Sequence, residues 1–132
     1  MIRVLFVDDE PLVLRGIERS LRSHRPDWQV TYTTSAVAAL ALLEREPVDV
    51  IVSDVGMPQM DGLVFLRTAR HRFPQVARLV LSGEARSTDR VRAVLDIHRW
   101  IAKPCPVRDL VEVIERTFLP RGAIEDAELL AT

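Results

Sequence analysis

The chain has 132 residues, 48% of them hydrophobic and 28% charged, with a formal net charge of -1. That length fits one compact domain of ordinary size, and the near-neutral charge excludes a chain built around nucleic-acid or membrane-surface attraction. The single cysteine, Cys105, excludes an internal disulfide, and no apolar run is long enough to span a bilayer, so the reading is a cytoplasmic domain.

Two periodicities alternate along the sequence. Arg3 to Val7 is a short apolar, β-branched run that predicts a strand, stopped by Asp8, Asp9 and Glu10. Pro11 sits where a first helical turn tolerates proline, and Leu14, Ile17 and Leu21 recur at helical spacing. Glu10 reads as a charge at that helix's N-terminus. Trp28 to Thr33 alternates apolar and polar residues, as an edge strand does. Ser35 is placed to cap an alanine- and leucine-rich helix ending near Glu46. Asp49 to Ser53 has the continuous apolar character of a strand covered on both faces.

The stretch from Asp54 to Gly62 is a loop dense in Gly, Pro and Asp, with Pro58 and Gly62 read as loop geometry and Asp61 as a helix cap. Leu66, Ala69 and Phe73 mark a third helix, closed by Pro74. Arg78 to Leu81 predicts a fourth strand running into Ser82 and Gly83, Ser87 to Asp96 a short fourth helix, and Arg99 to Ala102 a fifth strand. Leu110, Ile114 and Phe118 give a fifth helix its apolar stripe. Residues 1–119 are therefore assigned to the domain, and 120–132, which follow the Pro120-Arg121-Gly122 break, to a linker or C-terminal tail.

Strict strand–helix alternation implies a parallel sheet with helices on both faces. The expectation is a doubly wound, flavodoxin-like (βα)5 three-layer sandwich with strand order 2-1-3-4-5 and its ligand crevice at the carboxyl ends of the strands. Asp8 and Asp9 follow the first strand, Asp54 the third, Ser82 ends the fourth and Lys103 follows the fifth, so this topology gathers all five at one edge. Each like-charge pair of carboxylates at about 4 Å costs roughly 4 kcal/mol at an effective dielectric near 20. A divalent cation removes that cost, and an all-oxygen donor set favours Mg²⁺. Asp54 is then the candidate covalent phosphoryl acceptor, with Lys103 and the Ser82 hydroxyl available to the non-bridging oxygens.

Four segments, VLFVDDE (Val4 to Glu10), SDVGMPQMDG (Ser53 to Gly62), LSGEA (Leu81 to Ala85) and WIAKPCP (Trp100 to Pro106), resemble the receiver domain of bacterial two-component response regulators. The resemblance spans about residues 2 to 119. It implies that Asp54 takes phosphate from a sensor histidine kinase or phosphotransfer protein. It also implies Mg²⁺ held by Asp9, Asp54 and the Gly56 backbone carbonyl, with Asp8 acting through water. Ser82 and Trp100 match the switch pair, Lys103 the phosphate-pairing lysine, and the Lys103–Pro104 bond is expected to be cis. The output surface implied is the fourth helix, fifth strand and fifth helix, a place for homodimer contacts. A looser similarity is to receivers joined to HDOD or HD-GYP domains, which implies an output domain in cis after residue 119.

The sequence departs from the family pattern in places. Trp100 stands where Tyr or Phe is commoner, and Leu95-Asp96-Ile97-His98 stands where a Gly-Ala pair is common. Gly56 and Gly83 leave little bulk near the acceptor, so water is expected to reach the acyl phosphate, with Glu84 positioning it. Arg67, Arg70, His71 and Arg72 read as a solvated helix face or a docking surface, Cys105 as structural, and His24, His71 and His98 lack metal-ligand spacing. The resemblance implies a regulatory domain with only autocatalytic phosphorylation and dephosphorylation. Two other functions stay open here: a small haloacid-dehalogenase-like phosphatase, and a phosphorylation-independent interaction scaffold.

Overall fold

The structure is a computed structural model that describes residues 1–55, 62–83 and 97–118. Five strands, β1 (Arg3–Val7), β2 (Gln29–Thr33), β3 (Val50–Ser53), β4 (Ala77–Ser82) and β5 (Arg99–Ala102), form one parallel sheet in the order β2-β1-β3-β4-β5. The described helices are α1 (Pro11–His24), α2 (Ala36–Arg45), α3 (Gly62–Arg72) and a last helix, Val107–Phe118. The expected fourth helix, Ser87 to Asp96, and the tail, 120–132, lie outside the described residues. The doubly wound fold and its strand order stand as the alternation predicts.

Side-chain alternation along the strands explains the two cores. Val4 and Phe6 of β1, with Val50, Val52, Leu79 and Leu81, pack on Leu14 and Leu21 of α1 and on Leu110, Val111 and Ile114 of the last helix. Leu5 and Val7, with Ile51 and Val80, face the other way onto Ala39 and Leu43 of α2 and Phe65, Leu66 and Ala69 of α3. Because both faces of the central strands are covered, β3 and β4 are buried throughout, and their sequences carry no polar alternation to speak of. Burying one such Leu or Phe side chain is worth roughly 1.5–3 kcal/mol, so these two layers supply the main drive to fold.

Local chemistry sets the helix starts that aim the loops. Pro11 occupies the first turn of α1, and Glu10 holds the N-cap position without a side-chain cap bond. Ser35 caps α2 as its sequence suggests, its Oγ accepting from the Ala38 amide at 3.1 Å. α3 ends at Arg72, whose guanidinium pairs with Glu44 of α2 and lies over the Phe73 ring. At the amino ends of the strands, Arg3 and Asp49 close the sheet with a two-point ion pair at 3.1 Å and a backbone bond from Arg3 N–H.

One strand residue carries a surprise. Arg78, inside β4, is only 2% exposed, and its guanidinium donates to the Val76 carbonyl at 2.8 Å. Its backbone N–H donates to Nδ1 of His98 at 3.0 Å, which engages that imidazole in the approach to β5. Among the described residues no helix is long and apolar enough to cross a membrane.

Candidate functional site

The carboxyl ends of β1, β3 and β5 bring the acidic loop residues together because these strands run parallel and in register. Val7 of β1 sits opposite Ser53 of β3, so the next residues, Asp8 and Asp54, emerge side by side. Backbone bonds continue the pairing beyond the strands: Asp54 N–H donates to the Val7 carbonyl at 2.9 Å and Lys103 N–H to the Ser82 carbonyl at 3.0 Å.

Asp8, Asp9 and Asp54 each offer a carboxylate oxygen, and the three oxygens lie within 4.8 Å of one another. Asp8 is buried, with Oδ1 accepting from the Glu10 amide at 2.9 Å and Oδ2 accepting from Lys103 Nζ at 2.6 Å. The same ammonium stands 3.6 Å from Asp54 Oδ2. Burial works against the charge on Lys103, but the hydrogen bond to Asp8 and the negative fields of Asp8, Asp54 and Glu10 outweigh it and hold its pKa above the ordinary lysine value. An all-oxygen, three-carboxylate donor set of this compactness fits a hard divalent cation such as Mg²⁺.

Most of the residues singled out from the sequence are found at this edge. Asp8, Asp9, Asp54 and Lys103 form the cluster, and Ser82, 2% exposed, ends β4 beside Ala102 with its carbonyl bound to Lys103 N–H. Trp100 is half-buried on β5, opposite Val80, and packs on the α2–α3 side of the core. Gly56, Pro58, Asp61 and Glu84 lie outside the described residues. The Lys103–Pro104 peptide is cis, as the resemblance implies. Cys105 is partly buried, and burial together with the Asp109 charge pushes its thiol pKa up, which disfavours the reactive thiolate.

The family model for the response regulator receiver domain matches residues 4–115. The chain belongs to that family. Receiver domains are phosphoacceptor signalling switches of two-component systems, and this is the functional class of the chain. Neither a phosphatase nor a phosphorylation-independent scaffold finds support in these matches. Over 129 residues the receiver is 34% identical to the hydrogenase transcriptional regulatory protein HoxA of Cupriavidus necator, covering 96% of this chain and 26% of that protein. It thus spans about a quarter of that relative's length. Among solved structures, a CheY-like receiver domain from Methanospirillum hungatei superposes with a TM-score of 0.84 at 25% identity, over 92% of this chain and 96% of that one. The receiver domain of an HD domain-containing protein from Pseudomonas fluorescens gives 0.80 at 25% identity, over 91% and 96%.

Two groups around Asp54, the Val55 amide and the Ser53 hydroxyl, were not picked out from the sequence, and a third, Gly62, was read there only as loop geometry. The Val55 amide donates to Asp54 Oδ1 at 2.7 Å, the Ser53 hydroxyl donates to the Asp54 carbonyl at 2.8 Å, and Gly62 lies directly on the Asp54–Val55 peptide. Ser53 did leave a signal: it is the polar residue of an otherwise apolar, fully buried strand.

Proposed function

We propose that Asp54 of this receiver accepts a phosphoryl group from a phosphohistidine on a sensor kinase or phosphotransfer protein, with Mg²⁺ held by Asp9, Asp54 and the Gly56 carbonyl and with Asp8 reaching it through water. The observation that carries this reading is the meeting of three carboxylates within 4.8 Å beside the Lys103 ammonium. Bound Mg²⁺ supplies charge neutralisation for the acidic cluster and for the incoming phosphoryl oxygens.

A carboxylate oxygen of Asp54 attacks phosphorus, a new P–O bond forms, and the P–N bond to histidine breaks with its electron pair leaving on the imidazole nitrogen. Lys103 then moves its charge from Asp8 toward the acyl phosphate, a short shift because Asp8 and Asp54 already flank it. Ser82 donates its hydroxyl to a phosphoryl oxygen, and the space it vacates admits Trp100, which redistributes the face formed by the fourth helix, β5 and the last helix. Dephosphorylation is hydrolytic: water attacks phosphorus, inorganic phosphate leaves, and Asp54 is restored. Among the described residues an added Cβ at Gly83 would meet nothing within 4 Å, which supports access for that water. Residues 1–119 act as the receiver and 120–132 as a linker to an output domain, of HDOD or HD-GYP type on the looser similarity. The face switched by Trp100 serves a homodimer or that domain, in the cytoplasm.

The test is incubation with acetyl phosphate and Mg²⁺ followed by intact-mass measurement. Wild type gains one phosphoryl group, chelation of Mg²⁺ stops the gain, and Asp54→Ala gains none. Labelling that survives in Asp54→Ala overturns the assignment.

A further inference from the structure

We propose that Ser53 and Gly62 are positioning residues for Asp54: together they fix the Asp54–Val55 peptide plane, and that plane decides which carboxylate oxygen faces Lys103. The inference rests on Asp54 being the acceptor and goes further, to how the acceptor is aimed.

The carbonyl and the N–H of one peptide are rigidly coplanar, so turning either turns both. In the Asp54–Val55 peptide the carbonyl accepts from Ser53 Oγ at 2.8 Å, and the N–H donates to Asp54 Oδ1 at 2.7 Å. Ser53 is fully buried at the end of β3, so its hydroxyl has a fixed strand behind it. Gly62, the first residue of α3, presses on the same peptide from outside. Its N–H donates to the Val55 carbonyl at 3.0 Å, and a Cβ at this position would stand 2.1 Å from the Asp54 carbonyl oxygen and 2.4 Å from Val55 Cα. Only glycine allows that approach.

The consequence is a division of labour between two oxygens of one carboxylate. Oδ1 is tied by a charge-assisted bond to its own following amide, while Oδ2 is turned toward Lys103 Nζ at 3.6 Å. Without the Ser53 hydroxyl, or with a side chain at 62, the peptide rocks and the carboxylate rotates with it. Phosphoryl transfer depends mainly on positioning, and a misplacement near 1 Å costs up to about 100-fold in rate.

The experiment uses the full chain with acetyl phosphate and saturating Mg²⁺, comparing wild type, Asp54→Asn, Ser53→Ala and Gly62→Ala, each confirmed as folded by its thermal transition. Ser53→Ala is expected to lower the maximal phosphorylation rate about tenfold or more while leaving the half-saturating donor concentration unchanged. Its Val55 amide proton resonance should also move upfield as the bond to Oδ1 loosens. Gly62→Ala is expected to lower the rate further; should it fail to fold, Ser53→Ala carries the decision. A purely structural role for Ser53 would move the thermal transition and leave the rate and the Val55 resonance in place, and that result overturns the proposal. Absence of labelling in wild type would instead overturn the acceptor assignment, and the proposal with it.

Discussion

Lys103 makes its shortest contact with Asp8, at 2.6 Å, and stands a full ångström farther from Asp54. The lysine beside the acidic cluster is therefore already engaged, balancing its most buried carboxylate. Asp8 and Asp54 thus flank one ammonium, at 2.6 Å and 3.6 Å.

Removing that charge should cost stability as well as signalling. Lys103→Met leaves Asp8, 4% exposed, without its ammonium partner and should destabilise the protein by roughly 1–3 kcal/mol in urea unfolding at neutral pH without Mg²⁺. The Lys103 pKa is raised on folding, so its contribution is complete below the ordinary lysine value and is lost as pH climbs through the raised one. The gap between wild type and variant should accordingly narrow at strongly alkaline pH. A constant gap would separate the stability effect from the charge.

Three like charges crowded at one edge should make the metal-free protein less stable than it could be. Asp9→Asn removes one of them and is expected to raise the melting temperature in the presence of a chelator. In wild type, Mg²⁺ at one hundred times its dissociation constant should add about 2.7 kcal/mol, and Asp9→Asn should lose most of that gain. Calorimetry with and without Mg²⁺ reads both effects.

At the opposite end of the sheet, Arg3 and Asp49 predict a different pH response. Burial works against the Asp49 carboxylate, but the Arg3 side-chain bond, the Arg3 backbone bond, and the charges of Arg3 and the N-terminus prevail and hold its pKa below the ordinary carboxylate value. Its contribution to stability is present above that ordinary value and is lost as pH falls through the lowered one. Asp49→Asn should lower the melting temperature by roughly 3–6 °C at neutral pH, and the difference should close in strong acid.

Tyr32 offers a site-specific titration, because it is the sole tyrosine. Burial first, then the Glu18 charge, push its pKa up to about 12, against an opposing pull from Arg22. The phenolate absorbance should therefore appear only near pH 12 in the folded protein and around 10 in urea. Since the shift is upward, the stability it represents exists below the ordinary tyrosine value and vanishes as pH rises through about 12. Glu18→Gln should recover a minor part of the shift, as burial is the larger cause.

The sequence by itself determined the alternation, the sheet order and the edge on which the chemistry collects. Apolar runs such as Val50 to Val52 and caps such as Ser35 are local signals, and parallel topology carries whatever follows each strand to the same end. Asp8, Asp9, Asp54 and Lys103 were legible for that reason alone, as charged residues placed just past apolar strands.

Only the tertiary structure decided how those groups divide their contacts. That Lys103 bonds to Asp8, that Arg78 is buried inside β4, and that Ser53 and Gly62 grip one peptide plane all depend on distances between residues far apart in the chain or on the rotation of a single backbone unit. Periodicity records which face a residue takes. It carries no information about the few tenths of an ångström, or the direction of one N–H, on which an aimed carboxylate depends.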